Sequence, residues 1–81
     1  MLVGMSASLL QQRTNLAANL RAYRLALGLS QEKLALDAEI DRTFVSQIER
    51  GIGNPSLRIL CLLADRLNVD LIMLFKPHDL V

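Results

Sequence analysis

Arg42, Thr43, Ser46 and Gln47 form two adjacent pairs one helical turn apart, and their types are those that can pair with the edges of nucleic-acid bases. A guanidinium donates two parallel hydrogen bonds to guanine, a carboxamide both donates to and accepts from adenine, and Ser or Thr hydroxyls do either. The Thr methyl can also meet a thymine methyl, and each good bidentate contact is worth about 1–3 kcal/mol of discrimination between bases. The same four types solvate any exposed helix face, and on type and spacing alone neither reading outweighs the other.

Other chemistry has less to stand on. Cys61 sits within Leu60-Cys61-Leu62-Leu63 and His78 near the C-terminus, and no Ser, His and carboxylate cluster or glycine-rich phosphate loop accompanies them. One Cys and one His are too few for a Cys-rich zinc site or a disulfide framework, so no enzyme, metal or cofactor is expected. The lone thiol fits a reducing, cytoplasmic setting. Residues 1–12 lack the positive start and long apolar stretch of a signal peptide. The densest apolar stretch, 59–75, is broken by Asp65, Arg66 and Asp70, so no membrane partner is expected either.

For Arg42 and its neighbours to read anything, a helix must hold them outward, and the pattern of the chain supplies one. Eighty-one residues make one domain, and 52% hydrophobic content with four Gly and two Pro is a folding composition. Leu16, Leu20, Tyr23 and Leu27 recur at helical spacing before Gly28, which predicts a first helix over 14–27. Ser30 caps a second helix that stops near Ala38, with Glu39 and Ile40 as the turn. Asp41 caps a third that buries Val45 and Ile48 and leaves Arg42, Thr43, Ser46 and Gln47 outside. Residues 51–55 are a loop by their Gly and Pro content. Ser56 caps a fourth helix carrying Leu57, Leu60, Leu63, Ala64 and Leu67, and Asp70 a short fifth that Pro77 prevents from continuing.

The expected fold class is therefore all-α, a compact five-helix bundle: an N-terminal extension at 1–13, a helical domain at 14–76 with a helix-turn-helix at about 30–50, and a C-terminal tail at 77–81. Met5 is an alternative initiator.

Residues 16–75 resemble the Cro/repressor-type helix-turn-helix domain, the XRE family. The resemblance is carried by Leu20-Arg21-Ala22-Tyr23-Arg24, Gly28-Leu29-Ser30-Gln31-Glu32-Lys33-Leu34-Ala35, Val45-Ser46-Gln47-Ile48-Glu49-Arg50-Gly51 and Asn54-Pro55-Ser56-Leu57. Asp41-Arg42-Thr43-Phe44-Val45-Ser46 followed by Ile48-Glu49-Arg50-Gly51 is similar in particular to the small controller proteins of restriction-modification systems. The resemblance implies a lambda-repressor-like bundle and a homodimeric transcriptional regulator on a near-palindromic double-stranded DNA operator, with RNA polymerase a further candidate partner and no small-molecule effector evident. Phage repressors and antitoxins share most of these residues, so the alternative is an antitoxin or adaptor whose main role is protein–protein interaction.

Carried over by position, the resemblance makes Arg42, Thr43, Ser46 and Gln47 the base readers and Gln31 a phosphate contact that also braces the start of the reading helix. Arg21, Arg50, Asn54, Ser56 and Arg58 become further phosphate contacts. Arg24 and Glu49 become an ion pair tying the first helix to the end of the third. Two departures stand out: Glu39 replaces the usual Gly or Asn, which forces a strained positive φ or a different turn, and Phe44 replaces a Tyr, which removes a phenolic contact to DNA.

Ile72 and Met73 stand where the family carries acidic residues and Leu62 where it carries Lys. Large apolar residues at solvent positions mark an interaction surface, so Leu62, Ile72, Met73 and Phe75 are expected at a dimer interface. The competing expectation is that Leu62 and Met73 pack under residues 1–13, which include Leu9 and Leu10. The formal net charge of +1 conceals a gradient, because no acidic residue precedes Glu32 while Arg13, Arg21 and Arg24 do.

Overall fold

Four α-helices, α1 (Ala7–Ala26), α2 (Gln31–Ala38), α3 (Arg42–Glu49) and α4 (Leu57–Leu67), lead into a 3-10 segment, Leu71–Phe75, in the computed structural model of the chain. Residues 6–77 are described; His78, the rest of the tail and the alternative start at Met5 lie outside them. Among the described residues there is no strand, and no helix is long and apolar enough to cross a membrane.

Each α-helix begins on a side-chain cap. The hydroxyls of Ser6, Ser30 and Ser56 accept from the N–H groups of Leu9, Lys33 and Ile59 at 2.9, 2.9 and 3.1 Å, and the Asp41 carboxylate accepts from Thr43 N–H at 2.7 Å. These bonds satisfy donors that a helix start leaves without intrahelical partners. The ends are equally local. Gly28 takes φ +69° just past α1, with Leu29 N–H donating to Arg24 O at 3.1 Å. Glu39 and Asn68 end α2 and α4 in the left-handed region at φ 59° and 60°. The turn before α3 thus keeps its usual shape and carries the strain of a non-glycine residue, about 1–2 kcal/mol.

Three expectations about elements are corrected. α1 starts two turns before residue 14, because Ser6 caps it and no Gly or Pro interrupts residues 7–26; the apolar repeat from Leu16 marks where the core begins, which is a different boundary. Its other end stops at Ala26, and Leu27 lies exposed. The fifth element is a 3-10 turn and not an α-helix. Met73 N–H donates to the Asp70 backbone carbonyl at 2.9 Å, so that donor is already satisfied and the Asp70 side chain makes no cap bond.

The core joins Leu16 and Leu20 of α1, Leu34, Ala35 and Ala38 of α2, Val45 and Ile48 of α3, and Ile59, Leu60, Leu63, Ala64 and Leu67 of α4, with Leu74 closing it from the 3-10 segment. Leu57, in the first turn of α4, is exposed. Asn15 and Asn19 point from α1 at the 3-10 segment: Asn15 Nδ2 donates to Phe75 O at 3.0 Å, and Asn19 Nδ2 to Leu74 O at 3.0 Å and Lys76 O at 2.7 Å. A carboxylate of α2 holds α4, since Asp37 accepts from Lys33 at 2.9 Å and from Arg66 at 2.8 Å.

Candidate nucleic-acid interface

α2 and α3 pack against each other across the turn at residues 39–41, and α3 also rests on α1. With Val45 and Ile48 buried, α3 presents Arg42, Thr43 and Phe44 exposed in its first turn and Ser46 and Gln47 half-buried in its second. Arg42 stands at the rim of an open cleft shared with Ser30, Gln31 and Glu32 at the start of α2. The Thr43 backbone N–H and then its hydroxyl hold the Asp41 carboxyl below the ordinary carboxylate range, so the cap is ionised at neutral pH.

Gln47 is placed differently from its neighbours. It faces the loop of residues 50–56, and a Cβ added to Gly53 would lie 3.2 Å from Gln47 Oε1. Gly53 itself sits at φ +81°, so both its backbone and its missing side chain make room for Gln47. Phe44 borders the same groove with Ile48, Ile52 and Pro55.

The far end of α3 is anchored by charge. Arg24 Nε donates to Glu49 Oε2 at 2.7 Å and Arg24 Nη2 to Oε1 at 2.8 Å, a bidentate pair whose side chains are 8% and 2% exposed. Arg24 Nη1 donates to Leu29 O at 2.8 Å. The Glu49 hydrogen bond holds the Arg24 guanidinium even more firmly protonated than usual. Gln31 Nε2 donates to Glu49 Oε1 at 3.1 Å. The Gln31 carboxamide therefore braces the last turn of α3 and not its first residues.

Arg21, Arg50 and Arg58 are exposed on α1, after α3 and in the first turn of α4. Asn54 is exposed in the loop, and its Oδ1 accepts from Arg13 Nη2 at 2.6 Å. Ile72 is 66% exposed, Leu62 and Phe75 are half-buried against the core, and Met73 is half-buried. Of the segment 1–13 that the competing expectation places over Leu62 and Met73, residues 1–5 lie outside the described residues, and Leu9 lines a cleft beside Leu16, Leu60 and Phe75. No group of three or more His, Cys, Asp or Glu side chains among the described residues could hold a metal ion.

Arg13, Asn15 and Asn19 carry contacts that the sequence reading did not assign. Their signal is visible in retrospect, since polar residues at 15 and 19 beside Leu16 and Leu20 occupy a face that must be buried, where each needs a partner.

The geometry agrees with what the chain is similar to. Residues 20–74 match the family described as helix-turn-helix. The control protein C.SmaI of Serratia marcescens is 41% identical over 65 residues, spanning 80% of this chain and 77% of that one. The crystal structure of the restriction-modification controller protein C.AhdI from Aeromonas hydrophila superposes with a TM-score of 0.73 at 38% identity, covering 86% of this chain and all of the other. The structure of C.Esp1396I bound to a 19 base pair DNA duplex superposes at 0.70 with 31% identity, covering 79% of this chain and 85% of that one. The chain belongs to the XRE-type helix-turn-helix family, among the relatives of the restriction-modification controller proteins.

Proposed function

We propose that the chain is a sequence-specific transcriptional regulator of the controller type that binds a near-palindromic operator as a homodimer. The observation that carries this reading is α3 itself: Arg42 and Thr43 stand exposed at its N-terminal end, while Val45 and Ile48 are buried and Glu49 is locked to Arg24. A reading helix needs both properties, because donors that wander lose the geometry that distinguishes one base from another.

In this reading Arg42, Thr43 and Ser46 meet base edges, and Gln47 does so from the loop side of the helix. Arg21, Arg50 and Arg58 neutralise phosphates, and Gln31, Asn54 and Ser56 add neutral donors along the backbone. The first amides of α4 lack intrahelical partners and lie beside Ser56, which favours an anion there. Two copies joined through Ile72, Leu62, Met73 and Phe75 bring two α3 helices to half-sites about 34 Å apart on one face of the duplex. The relatives named above are control and controller proteins, one of them bound to a DNA duplex, and that kinship supports the same reading.

Fluorescence anisotropy with the DNA immediately upstream of the chain's own gene tests it. Wild-type affinity should fall steeply as salt rises from about 50 to 200 mM. Arg42→Ala should cut the preference for that DNA over a scrambled duplex by about 5- to 150-fold, the equivalent of 1–3 kcal/mol. Absence of any salt-sensitive binding would overturn the regulator reading and favour the protein-interaction alternative. Ile72→Asp should convert a dimer to a monomer in sedimentation velocity; an unchanged dimer would reject this interface.

A further inference from the structure

We infer that Arg13 is a positioning residue for the DNA backbone contact: it orients the Asn54 carboxamide so that the Nδ2 hydrogens face a phosphate. The inference rests on the proposed role of the 50–56 loop as a phosphate-binding edge. Arg13 Nη2 lies 2.6 Å from Asn54 Oδ1 across 41 residues of sequence. A guanidinium carries donors and no acceptor, so the atom that faces it must be the carboxamide oxygen, and the NH2 group is turned to the opposite side. Asn54 is exposed, and that opposite side is open to a ligand.

Orientation in advance matters because an exposed Asn side chain samples several rotamers and both amide faces. Fixing one face before DNA arrives removes an ordering cost from binding. The hydrogen bond is well suited to this task because packing along the same seam is incomplete. An apolar cleft of about 170 Å³ runs between α1 and the loop, lined by Leu9, Leu16, Pro55, Leu60 and Phe75. The Arg13–Asn54 bond crosses that seam. Arg13 in turn projects from a helix that Asn15 and Asn19 pin to the 3-10 segment, so its guanidinium arrives from a fixed direction.

A short mixed-sequence duplex is a sufficient probe, because phosphate contacts do not depend on sequence. Losing one neutral hydrogen bond to phosphate predicts that Arg13→Ala binds about three- to tenfold more weakly, with the salt slope unchanged. Asn54→Ala should lose the same factor, and the double variant should bind no more weakly than either single. Asn54→Asp keeps the acceptor for Arg13 and the fold of the loop but has no donor for phosphate, so it should bind at least as weakly as Asn54→Ala. This exposed loop substitution keeps the question decidable if Arg13→Ala destabilises α1.

Arg13→Ala with wild-type affinity would overturn the inference, as would Asn54→Asp with wild-type affinity. A slope that falls by about 0.9, with the loss persisting in the Asn54→Ala background, would make Arg13 itself the phosphate contact and overturn the positioning role. If the wild type shows no salt-dependent binding at all, the DNA-binding reading fails, and this inference fails with it.

Discussion

Replacing Arg24 with Ala isolates what holds the proposed reading helix in place. The substitution removes three donors at once: the Nε and Nη2 bonds to Glu49 at 2.7 and 2.8 Å, and the Nη1 bond to Leu29 O at 2.8 Å. Glu49 is left as a carboxylate 2% exposed to solvent, with Gln31 at 3.1 Å as its remaining side-chain partner. Breaking one side of a buried pair costs about 3–5 kcal/mol, because the surviving charge has lost both water and its counter-charge. A chain of 81 residues has a total stability of only about 4–12 kcal/mol. The melting temperature should therefore drop by at least about 12 °C. The chain has no Trp, so helix circular dichroism in urea at a fixed protein concentration is the suitable assay. Arg24→Met combined with Glu49→Leu removes both charges and should recover most of the loss, since an apolar pair avoids the desolvation that the ion pair must overcome. A loss below about 1 kcal/mol in Arg24→Ala would refute the reasoning, because that is the worth of an exposed bridge; Val45 and Ile48 alone would then set the direction of α3.

Glu39→Gly should stabilise the fold by about 1 kcal/mol in urea titration, since Glu39 sits at φ 59°, where a Cβ is penalised; a neutral or negative change would mean that the turn carries no strain. Gly53→Ala should destabilise by about 1 kcal/mol or more, from φ +81° and a Cβ 3.2 Å from Gln47 Oε1, and should displace the Gln47 carboxamide resonances in NMR spectra; wild-type stability would show that the loop yields freely. Lys33 first and Arg66 second hold the Asp37 carboxyl below its ordinary value. Its stabilisation is therefore complete above the unfolded carboxylate value and is lost as pH falls through the lower folded one, between about pH 5 and 2. Asp37→Asn should flatten that acid limb in melting temperatures taken across this range, and an acid limb unchanged from wild type would reject the role of the Lys33–Asp37–Arg66 cluster.

The helices were legible because their ends are written in single residues. Ser30, Asp41 and Ser56 each accept a backbone N–H where the chain enters a helix, and Gly28 leaves one in the left-handed region. Apolar spacing failed at both margins of the fold for a common reason: it reports contact with the core and not backbone conformation. The first two turns of α1 have little core to touch, yet they are helical because Ser6 caps them. Leu71–Phe75 touches the core through Leu74, yet it is not α-helical. Its carbonyls are claimed by Asn15 and Asn19 from residues 55 to 60 positions away, and no local pattern announces such a bond. Within the candidate site, the exposure of Arg42 and Thr43 follows from the spacing of Val45 and Ile48. The packing of Gln47 on Gly53 and the reach of Arg13 to Asn54 depend on how a loop returns to a helix, which spacing does not encode.

The near-zero net charge gains a structural meaning from these pairings. Arg24 is neutralised inside the fold by Glu49, and Lys33 and Arg66 share Asp37. Among the described residues, Arg24 and Arg66 thus tie helices together through Glu49 and Asp37, while Lys33 shares Asp37 within α2. The exposed arginines at 21, 42, 50 and 58 lie on or beside three different helices. A field spread so thinly supplies a salt-sensitive share of affinity, which scales with the number of phosphates neutralised, but carries no information on sequence. In the proposed function, sequence recognition by such a surface draws on directional contacts, from the guanidinium of Arg42 and from neutral donors such as Gln47 and Asn54. Directional contacts tolerate little misplacement, and that is the physical reason for a fold of this size to hold its proposed reading helix by a buried ion pair at one end and an aspartate cap at the other.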